Sequence, residues 1–230
     1  MTDPAYGSAD HYRGNRGEDY FKMQSANAAL NAELLVNRFS GFVKPTDTVL
    51  DFGCGAGGLL NALDCSRRIG VEVNPAARRA CAESGIECYA SLEEAPDGVA
   101  DAVVSNHALE HVPYPIDALR QARKKLKSGG ILVLCVPMDD WRNSKRYQPD
   151  DRFHHLHTWT PQLLGNSLSE AGFEVRPNDV RILSEAWPRY YPFLYKHLPR
   201  FCFNAIITAW AILSRKRQIV AAVRPRRTEG

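Results

Sequence analysis

Val49-Leu50-Asp51-Phe52-Gly53-Cys54-Gly55-Ala56-Gly57-Gly58 reads as an apolar strand that ends in a glycine turn and opens a helix. Such a turn lets backbone approach a ligand where a side chain would collide. The glycines admit two spacings: Gly53, Gly55 and Gly58 satisfy the dinucleotide pattern GxGxxG, and Gly53, Gly55 and Gly57 the tighter GxGxG. Asp51, two positions before the first glycine, separates them, because a carboxylate there suits a cationic ligand and opposes a pyrophosphate lodged at the helix start. Glu72 falls at the end of the next predicted strand, where an acid accepts hydrogen bonds from a ribose diol with either kind of ligand.

Outward from that turn, short β-branched runs alternate with helical patterns, the signature of an α/β fold. Strands are predicted at Thr48 to Phe52 and near Arg68 to Val73, Ile86 to Tyr89, Asp101 to Ser105 and Ile131 to Val136. Helices are predicted near Ala26 to Phe42, Gly57 to Leu63, Pro75 to Ser84 and Pro115 to Leu126, so the strands are joined by crossings and the sheet is mostly parallel. Thr160 and Pro161 mark a further helix start and Gly172 its stop. Strand-like segments follow at about Asp179 to Ala186 and Gln218 to Val223, separated by an aromatic, basic stretch.

The 230 residues are 44% hydrophobic and 24% charged, which fits one globular domain with an elaboration. The opening MTDPAYGSAD lacks the basic and apolar regions of a secretory signal, which leads us to expect a cytoplasmic protein, and no run has the length of a membrane span. The six cysteines never form CxxC and read as reduced packing residues. Charge is uneven: residues 189–230 carry 9 Lys/Arg against 1 Asp/Glu, and the rest of the chain 20 against 25.

Together with GVEVNP, the turn resembles the class I S-adenosylmethionine (SAM)-dependent methyltransferases, and SAM carries an ammonium and a sulfonium for Asp51 to face. The resemblance covers most of residues 25 to 185. It includes Asp101-Ala-Val-Val-Ser-Asn-His-Ala-Leu-Glu-His-Val112 and Leu126-Lys-Ser-Gly-Gly-Ile-Leu-Val-Leu134, similar to the family's fourth and fifth strand segments. HHLHTWTPQLLGNSLSEAGF is similar to the small-molecule and glycan-modifying branch. The resemblance implies a Rossmann-like, doubly wound, seven-stranded sheet whose last strand is antiparallel. It also implies a SAM site made by Asp51, Gly53, Gly55, Gly57, Glu72 and Asn106, with Ser91 in place of the acid that many relatives use for the adenine amine. The expected divisions are a leader over 1–24 that closes on the cofactor, a SAM-binding core over 25–186, an insertion over 187–217 above the acceptor site, and a last strand with basic tail over 218–230. Two other classes fit the turn: an NAD(P)-dependent oxidoreductase, and a non-catalytic SAM-binding or membrane-interaction module.

His107-Ala-Leu-Glu110-His111 matches HxxEH, which sets two imidazoles one helical turn apart, but Pro113 and Pro115 end any such helix. No metal is therefore expected, and His107 is the member predicted to face the pocket. His155 and His157, beside Asp150, Asp151 and Arg152 in the loop after the fifth strand, are ahead of His107 as candidate general bases. The expected reaction moves the SAM methyl to oxygen or nitrogen of a small-molecule, glycan or lipid-linked acceptor, with no nucleic acid as partner. The insertion has two readings. As a lid it turns Tyr190, Tyr191 and Phe193 inward. As a peripheral dock on the inner membrane face it turns Ile206, Ile207, Trp210 and Leu213 outward beside Arg215, Lys216 and Arg217.

Overall fold

A computed structural model describes residues 12, 14–25, 27–139, 142, 145–149, 151 and 153–227; the start of the leader, Ala26, Asp150 and Arg152 lie outside them. Five strands, β1 (Thr48–Phe52), β2 (Arg67–Val71), β3 (Glu87–Tyr89), β4 (Ala100–Asn106) and β5 (Leu126–Met138), pair in parallel in the order β3-β2-β1-β4-β5. Beyond them come β6 (Phe173–Glu174), β7 (Val180–Leu183) and β8 (Arg217–Pro225). β8 runs antiparallel to β5, with Leu134 opposite Ala221, and carries β6 and β7 along its other side. The sheet thus has eight strands in the seven expected positions. One edge position is cut in two at Arg176 to Asp179, where Pro177 can donate no ladder bond and the Asp179 carboxylate accepts from Arg176 N–H at 2.8 Å.

Strand residues alternate between two cores, as a sheet covered on both faces requires. Val49, Ala102, Val104, Val133, Cys135 and Val220 face one core, while Leu50, Val103, Leu132, Leu134, Ile219 and Ala221 face the other. The first is covered by α3 (Gly58–Ala62) and α4 (Pro75–Glu83) through Leu59, Leu60 and Cys81. The second is covered by α5 (Pro115–Lys125) and α6 (Pro161–Glu170) through Leu119, Ala122, Leu164 and Leu168. Each of these buried leucines contributes roughly 1.5–3 kcal/mol. Thr160 caps α6 by accepting from Leu163 N–H at 3.1 Å, and Gly172, at φ +91°, lets the chain leave it.

The remaining helices build the cleft end. α1 (Gly14–Ser25) precedes α2 (Ala28–Val36), whose predicted run to Phe42 breaks instead into a short 3₁₀ turn at Ser40–Phe42. α7 (Tyr191–His197) and α8 (Arg200–Ser214) occupy the long connection between β7 and β8. Because Leu183 pairs with Gln218, and Gln218 with Pro137, that connection leaves and re-enters at the carboxyl edge of the parallel strands.

Candidate active site

At the carboxyl end of β1 the backbone turns through three left-handed glycines, Gly53 (φ +80°), Gly55 (φ +54°) and Gly57 (φ +77°). A Cβ at Gly57 would lie 2.3 Å from Ile86 Cδ1, and one at Gly53 2.4 Å from Ala108 Cβ. Gly58 differs, since a Cβ there would meet only ordinary contacts, the nearest at 3.6 Å. The spacing under constraint is therefore 53-55-57. Glu72 closes the turn from β2: Oε2 accepts from Gly55 N–H at 2.9 Å and Oε1 from Asn74 N–H at 2.8 Å. Each oxygen keeps a lone pair for a further donor. Asn74 in turn donates to the Gly17 carbonyl at 2.8 Å, which ties α1 beside this turn.

Asp51 is 2% exposed and its Oδ1 has no hydrogen-bond partner. Burial, reinforced by the negative charge of Glu72, pushes its pKa up to about 8. A buried carboxylate with an unpartnered oxygen beside an open glycine turn fits a cationic ligand, and a pyrophosphate there would add repulsion. SAM, with its ammonium and sulfonium, fits these residues. Ser91 is half-buried just beyond β3, at the same edge of the sheet. Asn106 lies farther along that edge, its side-chain oxygen accepting from Arg38 at 3.3 Å.

The second half of the site lies beyond β4 and β5. His107, left-handed at φ +54°, places Nε2 2.9 Å from Gln218 Oε1, and burial lowers its pKa to about 4. His155 Nδ1 is 2.8 Å from Asp139 Oδ2. Burial lowers the His155 pKa, but the charges of Asp139 and Glu110 outweigh that and hold it above the ordinary value. His157 is differently employed, with Nε2 2.8 Å from the Val112 carbonyl and its main-chain N–H on the Glu110 carbonyl at 3.1 Å. It fixes the loop. His155 and His107 come together around Glu110, and His157 stays on the loop backbone. A cavity of about 330 Å³ lined by Phe42, Ile131, Arg181 and Arg224 sits toward the opposite, amino edge of β5, away from every group named here.

A sequence profile described as "Methyltransferase domain" matches residues 23–178, well over half of the chain. The chain belongs to the class I SAM-dependent methyltransferases. It is 28% identical over 187 residues to the sarcosine/dimethylglycine N-methyltransferase of Halorhodospira halochloris, covering 74% of this chain and 66% of that one. It is 33% identical over 137 residues to a ubiquinone biosynthesis O-methyltransferase of Xanthomonas campestris pv. campestris, covering 53% and 56%. The chain thus spans about two thirds or less of these relatives' length. A solved SAM-dependent methyltransferase from Archaeoglobus fulgidus shares the fold at a TM-score of 0.61 and 22% identity, over 89% of this chain and 99% of that one.

Within this methyltransferase the sequence reading missed Arg38. Its side chain is 6% exposed and donates to Gln218 Oε1 at 2.8 Å and Glu185 Oε1 at 2.6 Å, joining α2 to the start of β8. An arginine three residues after Leu35 and one before the buried Phe39, on an otherwise apolar helix face, was the available signal. Trp187 donates to the same Glu185 oxygen at 3.0 Å and stacks on Tyr191 with ring centroids 5.2 Å apart. The lid orientation is corrected: Tyr191 turns in and gives its hydroxyl to Asn31, but Tyr190 and Phe193 are 69% and 63% exposed. The dock orientation is corrected at two residues, Ile207 and Arg217, the latter opening β8 with its Nε buried. Ile207 is buried with Phe203 and Ala211 as the i, i+4, i+8 stripe of α8, while Ile206, Trp210 and Leu213 face outward.

Proposed function

We propose that this methyltransferase moves the methyl group of SAM to an oxygen or nitrogen of a small-molecule, glycan or lipid-linked acceptor bound beside His155. The observation that carries the reading is a cation-seeking carboxylate, Asp51, and an Asp139-fixed imidazole, His155, at the same carboxyl edge of one sheet. SAM supplies a methyl already activated by its sulfonium. Asp51 and Glu72 hold the donor, the glycine turn admits it, and α1 with Tyr12 borders it. His155 acts on the proton of a hydroxyl nucleophile, while His107, held neutral by burial, orients the acceptor. The test is methyl transfer from labelled SAM to panels of small alcohols, amines, glycans and lipid-linked sugars. No transfer to any member by the full chain, in the presence of measured SAM binding, would sink the catalytic reading.

The same reading places the chain in the cytoplasm, touching the inner membrane face through residues 187–217. α8 is apolar nearly all round yet buried along one stripe only, leaving Phe201 (74% exposed), Trp210 (43%) and Leu213 (79%) in water. Residues 187–217 hold six Lys/Arg and no Asp or Glu, which matches anionic lipid rather than another acidic-and-basic protein surface. Among the described residues no helix is long and apolar enough to cross a membrane. Sedimentation with phosphatidylglycerol vesicles should show co-pelleting at low salt that fades at high salt and in Trp210→Glu. Equal pelleting of the variant, or none by the wild type, would remove the dock.

A further inference from the structure

Glu110 is fully buried, and neither of its carboxylate oxygens receives a hydrogen bond. Burial raises the pKa of such a group, so it is neutralised either by a proton or by something positive beside it. Three imidazoles turn toward it. His107 Nδ1 lies 3.6 Å and His111 Nε2 3.8 Å from Glu110 Oε1, too far for hydrogen bonds. Ligand atoms of Glu110, His111 and His155 all fall within 4.8 Å of one another.

The far nitrogen of each ring is already engaged. His107 Nε2 donates to Gln218 Oε1, an atom fixed as an acceptor because Arg38 donates to it too. His155 Nδ1 donates to the Asp139 carboxylate. His111 Nδ1 is 2.8 Å from the Tyr12 hydroxyl and 3.4 Å from the His154 carbonyl, and the tautomer with its proton on Nδ1 lets the ring donate outward while Tyr12 donates to the Phe153 carbonyl at 3.1 Å. With the ring protons directed outward, lone pairs point toward the carboxylate. An oxygen partner on the outer nitrogen is how metal-bound imidazoles are oriented. The backbone around the cluster is also strained, with His107 and His154 both left-handed at φ +54° and +52°.

We propose that Glu110, His111 and His155 bind a first-row divalent cation, with His107 beside it. Two imidazoles and one carboxylate are a donor set for Zn²⁺, Fe²⁺, Mn²⁺ or Co²⁺. At metal–ligand distances of about 2.0–2.2 Å, neighbouring ligand atoms sit roughly 3–3.6 Å apart, so atoms that now lie within 4.8 Å of one another close on an ion by movements of up to about an ångström. The sequence weighed a helical HxxEH and found it broken. The folded chain instead carries Glu110 and His111 on a 3₁₀ turn at Leu109–His111 and brings the third ligand from the loop after β5.

Three protein ligands leave coordination positions open. Resting on the acceptor site proposed above, the ion takes over the activation of the hydroxyl from His155: with the free His155 lone pair on the metal, an acceptor hydroxyl bound there loses its proton to water more readily. The oxygen lone pair then forms the C–O bond as the C–S bond of SAM breaks, releasing a neutral thioether.

The experiment is titration of the chelator-stripped full chain with Co²⁺, followed by visible absorption and by metal content after gel filtration. One equivalent should bind with ligand-field bands and no thiolate-to-cobalt charge transfer. That last feature separates this site from Cys54, Cys81 and Cys88, whose sulfurs also lie within 4.8 Å of one another. Glu110→Gln, which keeps the volume, and His155→Asn should each weaken Co²⁺ more than about 100-fold. Asp139→Asn, at a positioning residue, should weaken it about 10–100-fold. Thermal unfolding of Glu110→Gln is the check that the variant is folded. No stoichiometric uptake, uptake unchanged in both ligand variants, or a thiolate charge-transfer band would each overturn the site. Uptake without methyl transfer to any acceptor would leave the site and remove the catalytic reading; full-rate transfer by a stripped chain that takes up no Co²⁺ would do the reverse.

Discussion

In the half of the cleft proposed to hold the cofactor, Asp51, Gly53, Gly55, Gly57 and Glu72 all belong to β1, the turn after it and the residue after β2, and the Glu72 carboxylate holds the turn through main-chain N–H groups. In the half proposed to hold the acceptor, Glu110 comes from the segment after β4, Asp139 and His155 from the loop after β5, Gln218 from the start of β8 and Arg38 from just after α2. A backbone site depends on glycine at fixed spacing, so it tolerates almost any sequence elsewhere. A side-chain site depends on four segments arriving together, so it can change chemistry without disturbing the sheet.

The largest expected effect lies in the acceptor half. His155→Ala should lower turnover about 10²- to 10⁴-fold while leaving SAM affinity within a factor of two, read by steady-state kinetics and calorimetry. A matching loss of SAM affinity would mean that the halves are not separable. Next, Gly57→Val should destabilise the chain by about 2–4 kcal/mol, from a β-branched residue forced to positive φ and from collision with Ile86, as read by denaturant unfolding. Glu72→Ala should weaken SAM binding by about 1–3 kcal/mol, since the Gly55 and Asn74 N–H groups and the ribose lose their acceptor together.

A pH series sharpens the contrast further. Asp51 has a folded pKa raised to about 8, so between pH 4 and 8 the folded chain keeps a proton that the unfolded chain has released. Its contribution to stability is complete below the unfolded pKa and is lost as pH rises through about 8. Melting of the SAM-free protein should therefore show a downward slope across that window that Asp51→Asn reduces, Glu110, also raised to about 8 by burial, carrying the remainder, and SAM should stabilise more strongly toward its upper end. The same slope in Asp51→Asn would assign it to other groups. The smallest effect belongs to Gly58→Ala, which should stabilise α3 by about 0.4–1 kcal/mol without changing SAM affinity, because no positive φ or close contact reserves that position for glycine.

The strand and helix order was readable from periodicity because both faces of the sheet are covered and every strand residue must suit one core or the other. β1 was placed at its observed ends, Thr48 and Phe52, and the Thr160 cap at its observed position. The split edge strand escaped the reading because Phe173 and Glu174 form too short a run for alternation to register. The helix expected over 26–42 was too long because Leu35 and Phe39 keep helical spacing although the chain has left the helix at Asn37.

Sequence alone determined the turn proposed to hold the cofactor: the glycines, Asp51 and Glu72 lie within one stretch of chain whose geometry local backbone rules dictate. It also determined that residues 187–217 are apolar and basic, since composition needs no fold. Only the tertiary structure decided which histidines matter. His155 and His157 are two positions apart and indistinguishable by type, yet one ring meets Asp139 and Glu110 while the other is tied to the Val112 carbonyl. The reason is physical: a histidine's role is set by what each ring nitrogen faces, and those partners arrive from segments far away in the chain.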